Sequence, residues 1–437
     1  MFDFIVRAKN IQIAIEAQKI VQLEPEILGQ SRAELDLRYL VALPAVVDAH
    51  VHFNEPGHAD WEGITTGSSA LAVGGGTVFV DMPLNSIPVT TTKAALEAKL
   101  ELLAHKSITD YAVWGGLTPD SLPHLEALAA GGVIGFKAFM SGSGLPEFNR
   151  ADEDILLAGM RIAAQLGLPV AVHAESETIT AKLTAAARAQ GKTTIRDYLD
   201  SRPIAAELEA ITTALALSAE TGCALHIVHI SSAAGVELVA AAKQRGVNVT
   251  AETCPHYLWF NDTDLERLGA VLKCAPPVRS SAELEHMWAM LEQIDIIGSD
   301  HSPAPPSMKT DSDFFKIWGG ISGVQNTLEV LLTAIQARGI PLEQIMPKLS
   351  RHPAERFLLR GKGRLELGYD ADIALVELGV ARTLERGELR YRHAQSPYLG
   401  AVLTARVQHT LLRGSTIWDG KNLAASHGKF LVGACHV

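Results

Sequence analysis

From about residue 45 to 355, short and almost uninterrupted apolar stretches alternate with longer Ala- and Leu-rich ones. Few folds accommodate that rhythm. The apolar stretches are AVVDAH (45–50), TVFVDM (77–82), DYAVWG (110–115), VIGFKAF (133–139), PVAVHA (169–174), ALHIVHI (224–230), VNVTAE (247–252) and DIIGSD (295–300). Continuous apolarity over so few residues reads as strands covered on both faces, as in a parallel sheet. Between them, segments such as AALEAKLELLAHK and AELEAITTALALSAE carry apolar residues at helical spacing. Eight strands, each followed by a helix, predict a (β/α)8 barrel. An open doubly wound sheet is the competing arrangement, and the count of eight favours the barrel.

The two ends read differently. Residues 1–44 and 363–437 hold short alternating stretches such as FIVRAKNIQIAI, DADIALVEL and RVQHTLLRG, with Gly or Asp at the turns. They predict a small β-sandwich domain built from both termini, with the barrel over 45–362.

Charge narrows the function classes. The net charge is −11 with histidines neutral, which argues against nucleic acid or a membrane surface as partner. Cys223, Cys254, Cys274 and Cys435 form no CxxC pair, which fits buried thiols in a reducing cytosol. The first residues lack a charged leader followed by an apolar stretch of signal-peptide length. The expectation is a cytoplasmic protein.

The chemistry-bearing residues gather at strand ends. His50 and His52 are two apart in VVDAHVHFNEPG (46–57), so on a strand both side chains share one face. The fifth candidate strand ends in His173, the sixth in His229 and the eighth in Asp300, and the fourth carries Lys137. In a barrel these side chains converge on the C-terminal rim, where such folds carry their chemistry. Histidine and carboxylate ligands with few thiolates suit Zn²⁺, and also Mn²⁺ or Co²⁺. Lys137 has two readings: a buried lysine paired with an acid, or an amine that burial neutralises and that captures carbon dioxide to form a metal-bridging carbamate.

Taken together, DAHVHFNEPG, GFKAFM, AVHAES, HIVHISS and GSDHSP resemble the cyclic amidohydrolases: dihydroorotases, hydantoinases and allantoinases. The likeness runs along essentially the whole chain. It implies a barrel with a β-sandwich domain, and a site with two divalent cations bridged by a carboxylated lysine and a hydroxide. By that resemblance His50, His52 and Asp300 hold one cation and His173 and His229 the other. Lys137, as N6-carboxylysine, bridges both, and Asp300 also shuttles the proton. One departure is Pro44-Ala45, where the family usually has Pro-Gly before the first strand.

Subfamily motifs sort the substrate. Dihydroorotases carry an arginine two residues after the second histidine and an asparagine ahead of the Pro-Pro pair; here those positions are Asn54 and Ala275. Hydantoinases carry a tyrosine five residues after the bridging lysine, and here it is Gly142. Glu55-Pro56-Gly57, Trp61-Glu62-Gly63, Met82-Pro83-Leu84-Asn85, CPHY (254–257), SDHSPAPPSMK (299–309) and WGGISGVQ (318–325) are similar to the allantoinase branch. That resemblance implies hydrolysis of a small cyclic ureide. By the same resemblance Asn85 and backbone groups at Ala275, Ser322 and Gly323 are expected to hold the substrate. Trp61 and Trp318 are candidate pocket walls, and His256 reads as part of a structural corner. The resemblance also implies a homo-oligomer, commonly a tetramer.

Overall fold

A computed structural model describes residues 1–425 and 428–433. The eight barrel strands are Val46–Val51, Gly76–Asp81, Asp110–Val113 continued by Gly115–Gly116, Phe136–Phe139, Val170–His173, Leu225–Ile227, Val249–Thr253 and Ile296–Ile297. All neighbouring pairs are parallel. A parallel bridge between Val51 and His301 closes the ring. The third strand breaks at Trp114. That residue is fully buried, and its indole N–H donates to the carbonyl of Ala49 on the first strand at 3.2 Å.

The helices form where the sequence supplies both an apolar stripe and punctuation. In Glu153–Leu166, Leu156, Gly159, Met160 and Ala163 face the barrel at helical spacing. The side chain of Asp152 accepts the N–H of Ile155 at its start, and Gly167 ends it with φ 68°. Ile204–Thr221 follows Pro203 and stops at Gly222, φ 70°. No described helix is long and apolar enough to cross a membrane.

Both termini build the second unit. Phe2–Ala8 pairs with Gln12–Glu16 and Ser31–Leu37, and Lys19–Glu24 completes that sheet. The facing sheet runs Ser415–Trp418, Val402–Leu412, Ile373–Thr383 and Val41–Pro44. Its last pairing joins the two ends of the chain, with Ile373 opposite Pro44 and Val376 opposite Val41. Val6, Ile13, Ile20, Ile373, Leu375 and Leu411 fill the space between the sheets. At the junction with the barrel, buried Lys362 lies 2.6 Å from Asp110 and 2.9 Å from both Asp370 and Asp372. Arg413 also pairs with Asp110. The departure at Pro44-Ala45 falls here: Ala45 N–H donates to the carbonyl of Asp372 at 3.1 Å, so this turn is held between the two units.

One expectation needs correction. The sixth and eighth strands are shorter than the apolar runs suggest, because the chain leaves the ladder at Val228 and Gly298. His229 and Asp300 therefore stand two and three residues beyond their strands, on left-handed backbone with φ 41° and 44°. Cys223, Cys254 and Cys274 are buried free thiols, while Cys435 lies outside the described residues.

Candidate metal centre and active-site cavity

A cavity of about 400 Å³ opens over the C-terminal rim of the barrel. His50, His52, His173, His229 and Asp300 line it together with Asn85, Gly142, Tyr198, Arg202, Lys273, Ala275 and Trp318. Asn85, His229 and Asp300 all hold positive φ, at 64°, 41° and 44°. Strained backbone of this kind collects where side chains must be aimed.

The first cluster is His50, His52 and Asp300, whose nearest ligand atoms all lie within 4.8 Å of one another. Asp300 Oδ1 lies 3.3 Å from His50 Nε2 and 3.4 Å from His52 Nε2. Burial alone would raise the Asp300 carboxyl, but the two imidazoles outweigh it and hold the group well below the usual carboxylate range. The Asp48 carboxylate braces this cluster. One of its oxygens accepts the backbone N–H of His50 at 3.1 Å and of Ser299 at 3.0 Å, which sets the first and eighth strand ends side by side.

The second cluster is His173 and His229. Their rings meet edge to face, with His173 Nδ1 and His229 Nε2 3.1 Å apart. His173 stacks on Phe139, centroids 4.5 Å apart, and its Nε2 lies 2.9 Å from Glu175, which in turn pairs with Arg202. The rings of His50 and His229 are 5.5 Å apart, so the clusters adjoin.

Lys137 sits between them, with no exposed surface, and its charge acts on Asp300, His173 and His229. Among the described residues its Nζ finds no hydrogen-bond partner, and it lies 5.1 Å from the ring of Phe139. Burial pulls its pKa from 10.5 down to about 7. Among the described residues no acid forms a salt bridge with it. A partnerless buried amine, a pair of facing imidazole nitrogens and a three-residue His/Asp cluster fit a two-cation centre.

Asn85 and Ala275 lie on the cavity wall. Ser322 and Gly323 follow directly on the lining stretch formed by Trp318, Gly319 and Gly320. His301 bridges Ile321 and pulls this segment behind the eighth strand. There the Ser322 carbonyl accepts from Ser396 at 2.9 Å and Gly323 N–H donates to His301 at 3.2 Å. Trp61 is buried against Trp318, centroids 4.9 Å apart, and only Trp318 reaches the cavity. His256 sits in the 3₁₀ turn Pro255–Leu258 with both ring nitrogens unpartnered.

Sequence reasoning missed Glu175, Glu252 and Arg202. Glu175 stands two residues after His173, and Glu252 is the last residue of the seventh apolar run, so a carboxylate at a strand end was the available signal.

Comparison with known proteins agrees with this geometry. The amidohydrolase family model matches residues 41–417. An allantoinase of Solibacter usitatus is 52% identical over 422 residues, covering 96% of this chain and 92% of its own. An allantoinase of Deinococcus radiodurans is 51% identical, covering 97% and 95%. Among solved structures, an L-hydantoinase from Arthrobacter aurescens superposes with a TM-score of 0.95 at 30% identity, covering 99% of this chain and all of its own.

Proposed function

The chain belongs to the amidohydrolase family, and from that premise we propose that it opens the hydantoin ring of allantoin by hydrolysis to give allantoate. The observation that carries this reading is the meeting of His50, His52, His173, His229 and Asp300 on one cavity, in a chain this similar to allantoinases. The family is metal-dependent. Of the divalent cations, Zn²⁺ suits the donor set best, with Mn²⁺ and Co²⁺ as alternatives. His50, His52 and Asp300 would hold one ion, His173 and His229 the other, and Lys137 as its carbamate would bridge them. When bound, the ions supply electrophilic polarisation of the scissile carbonyl and a lowered pKa for water.

The chain's own residues do the rest. Water adds to the ring carbonyl carbon, a C–O bond forms and the C–N bond breaks. Asp300 takes a proton from the attacking water and hands it to the leaving nitrogen. The carboxylic acid product then ionises. The neighbouring imidazoles hold Asp300 ionised at neutral pH, so its carboxylate carries no proton when the water attacks.

Asn85 has a double task in this reading. Its amide nitrogen Nδ2 is placed 3.3 Å from His52 Nδ1, and turning the amide over puts the oxygen there. An imidazole that turns its Nε2 lone pair to a cation carries its proton on Nδ1 and donates there. The partner is then the amide oxygen, since the two ends of the amide are assigned from such bonding. That orientation frees the NH₂ to donate to a substrate carbonyl. Asn54 and Ala275 stand where dihydroorotases carry the arginine and the asparagine that go with a substrate carboxylate, which supports a neutral ureide. The same reading makes residues 45–362 the catalytic barrel and the protein a cytoplasmic homo-tetramer.

The test is turnover of allantoin, hydantoin and dihydroorotate side by side, with added Zn²⁺, Mn²⁺ or Co²⁺. Allantoin should be strongly preferred. Dihydroorotate or hydantoin turnover without allantoin turnover refutes the assignment.

A further inference from the structure

Beneath the cavity a buried relay reaches both ligand clusters. His226, in Leu225–Ile227, and Glu252, in Val249–Thr253, are both fully buried. His226 Nδ1 lies 2.8 Å from the hydroxyl of Thr250, and its Nε2 lies 3.1 Å from Glu252 Oε2. The other carboxylate oxygen, Oε1, lies 2.8 Å from His50 Nδ1 and accepts the backbone N–H of His229 at 3.3 Å. One carboxylate thus holds the side chain of a residue in the first cluster and the main chain of a residue in the second. Glu175 is not its equivalent: it orients His173 alone and is already paired with Arg202.

Proton positions follow from the donors and acceptors. An ionised carboxylate only accepts, so both imidazoles turn an N–H toward Glu252. His50 then carries its proton on Nδ1 and keeps its Nε2 lone pair on the side of Asp300. His226 carries its proton on Nε2, so its Nδ1 accepts from the Thr250 hydroxyl. A single arrangement satisfies every group.

We propose that Glu252, backed by His226, is a positioning residue that fixes the tautomer and ring plane of His50 and the main chain at His229, and so couples cation binding at the two clusters. Carboxylates behind metal-binding histidines act in this way elsewhere. The inference rests on the metal-centre reading above.

The test uses the full-length apo protein with Zn²⁺ or Co²⁺ alone. Glu252→Gln preserves shape but turns one acceptor into a donor. Zn²⁺ affinity, measured by competition with a chromophoric chelator, should fall by about 10–100-fold, and the visible absorption bands of the Co²⁺-loaded protein should shift. His226→Gln keeps an N–H toward Glu252 and should stay near the parent, whereas His226→Leu should weaken binding as Glu252→Gln does. Should Glu252→Gln fail to fold, the His226 pair decides. Parent-like affinity and bands in Glu252→Gln, or equal affinities in the two His226 variants, overturn the proposal. A parent that takes up neither cation overturns the metal-centre reading itself, and the proposal falls with it.

Discussion

Carbamate formation at Lys137 should titrate nearly across neutrality, far below the range of an ordinary lysine. Carbon dioxide reacts with the free amine, not with the ammonium ion. With its pKa lowered from 10.5 to about 7, Lys137 is about half neutral at pH 7. A lysine at the unshifted value would be neutral in roughly one molecule in 3,000 at that pH. The sign is fixed by the charge type: burial penalises the ammonium, so the reactive form grows as pH rises through the shifted value. The assay is carbon NMR of the protein supplied with isotopically labelled bicarbonate and Zn²⁺, from about pH 6 to pH 8, roughly one unit either side of the shifted value. The carbamate signal should rise steeply over that window. Lys137→Arg should show none, because a guanidinium keeps its proton. A midpoint close to that of a surface lysine, or an equal signal in Lys137→Arg, would refute the reasoning.

Asp300→Asn should leave the circular dichroism spectrum unchanged and lower kcat by about 10²–10⁴-fold, because the proton acceptor is gone. A loss of only a few-fold in steady-state assays excludes Asp300 as the shuttle. Lys362→Met leaves buried Asp110 and Asp372 without their shared cation. It should cost about 3–5 kcal/mol in a denaturant titration, and an unchanged midpoint would mean that the acids find other partners. Chelation should lower the Tm of the purified protein. A cation held at 100 times its Kd adds about 2.7 kcal/mol to the folded state, so identical melting curves with and without chelator speak against a bound ion.

The parts of the site legible in sequence were those fixed by local geometry. His50 and His52 announce themselves because alternate residues of a strand share a face, and Lys137 and His173 because each is a polar side chain within or ending an apolar strand. His229 and Asp300 were found by the same signal, although both lie past their strands on left-handed turns. What sequence hid were relations between distant segments. Glu252 reaches His50, 202 residues away, and Glu175 is tied to Arg202 across two intervening helices. The bridge from His301 to Ile321, just ahead of Ser322 and Gly323, is another such relation, and no local pattern announces it. The eight-strand rhythm was plain, but strand lengths were not, since apolarity continues after the ladder ends.

The pairing of Val41–Pro44 with Ile373–Val376 has a consequence for the order of events during synthesis. Phe2–Leu37 can form its own sheet as soon as it leaves the ribosome, because its partners are all close in sequence. Val41–Pro44 cannot, since its partner is still untranslated. At about 5–20 residues per second, that strand waits roughly 15–65 s with its backbone unpaired. An edge of that kind is a template for the wrong neighbour. A nascent chain stalled before residue 373 should therefore bind chaperones through this strand, and release should come only once Ile373–Thr383 has emerged.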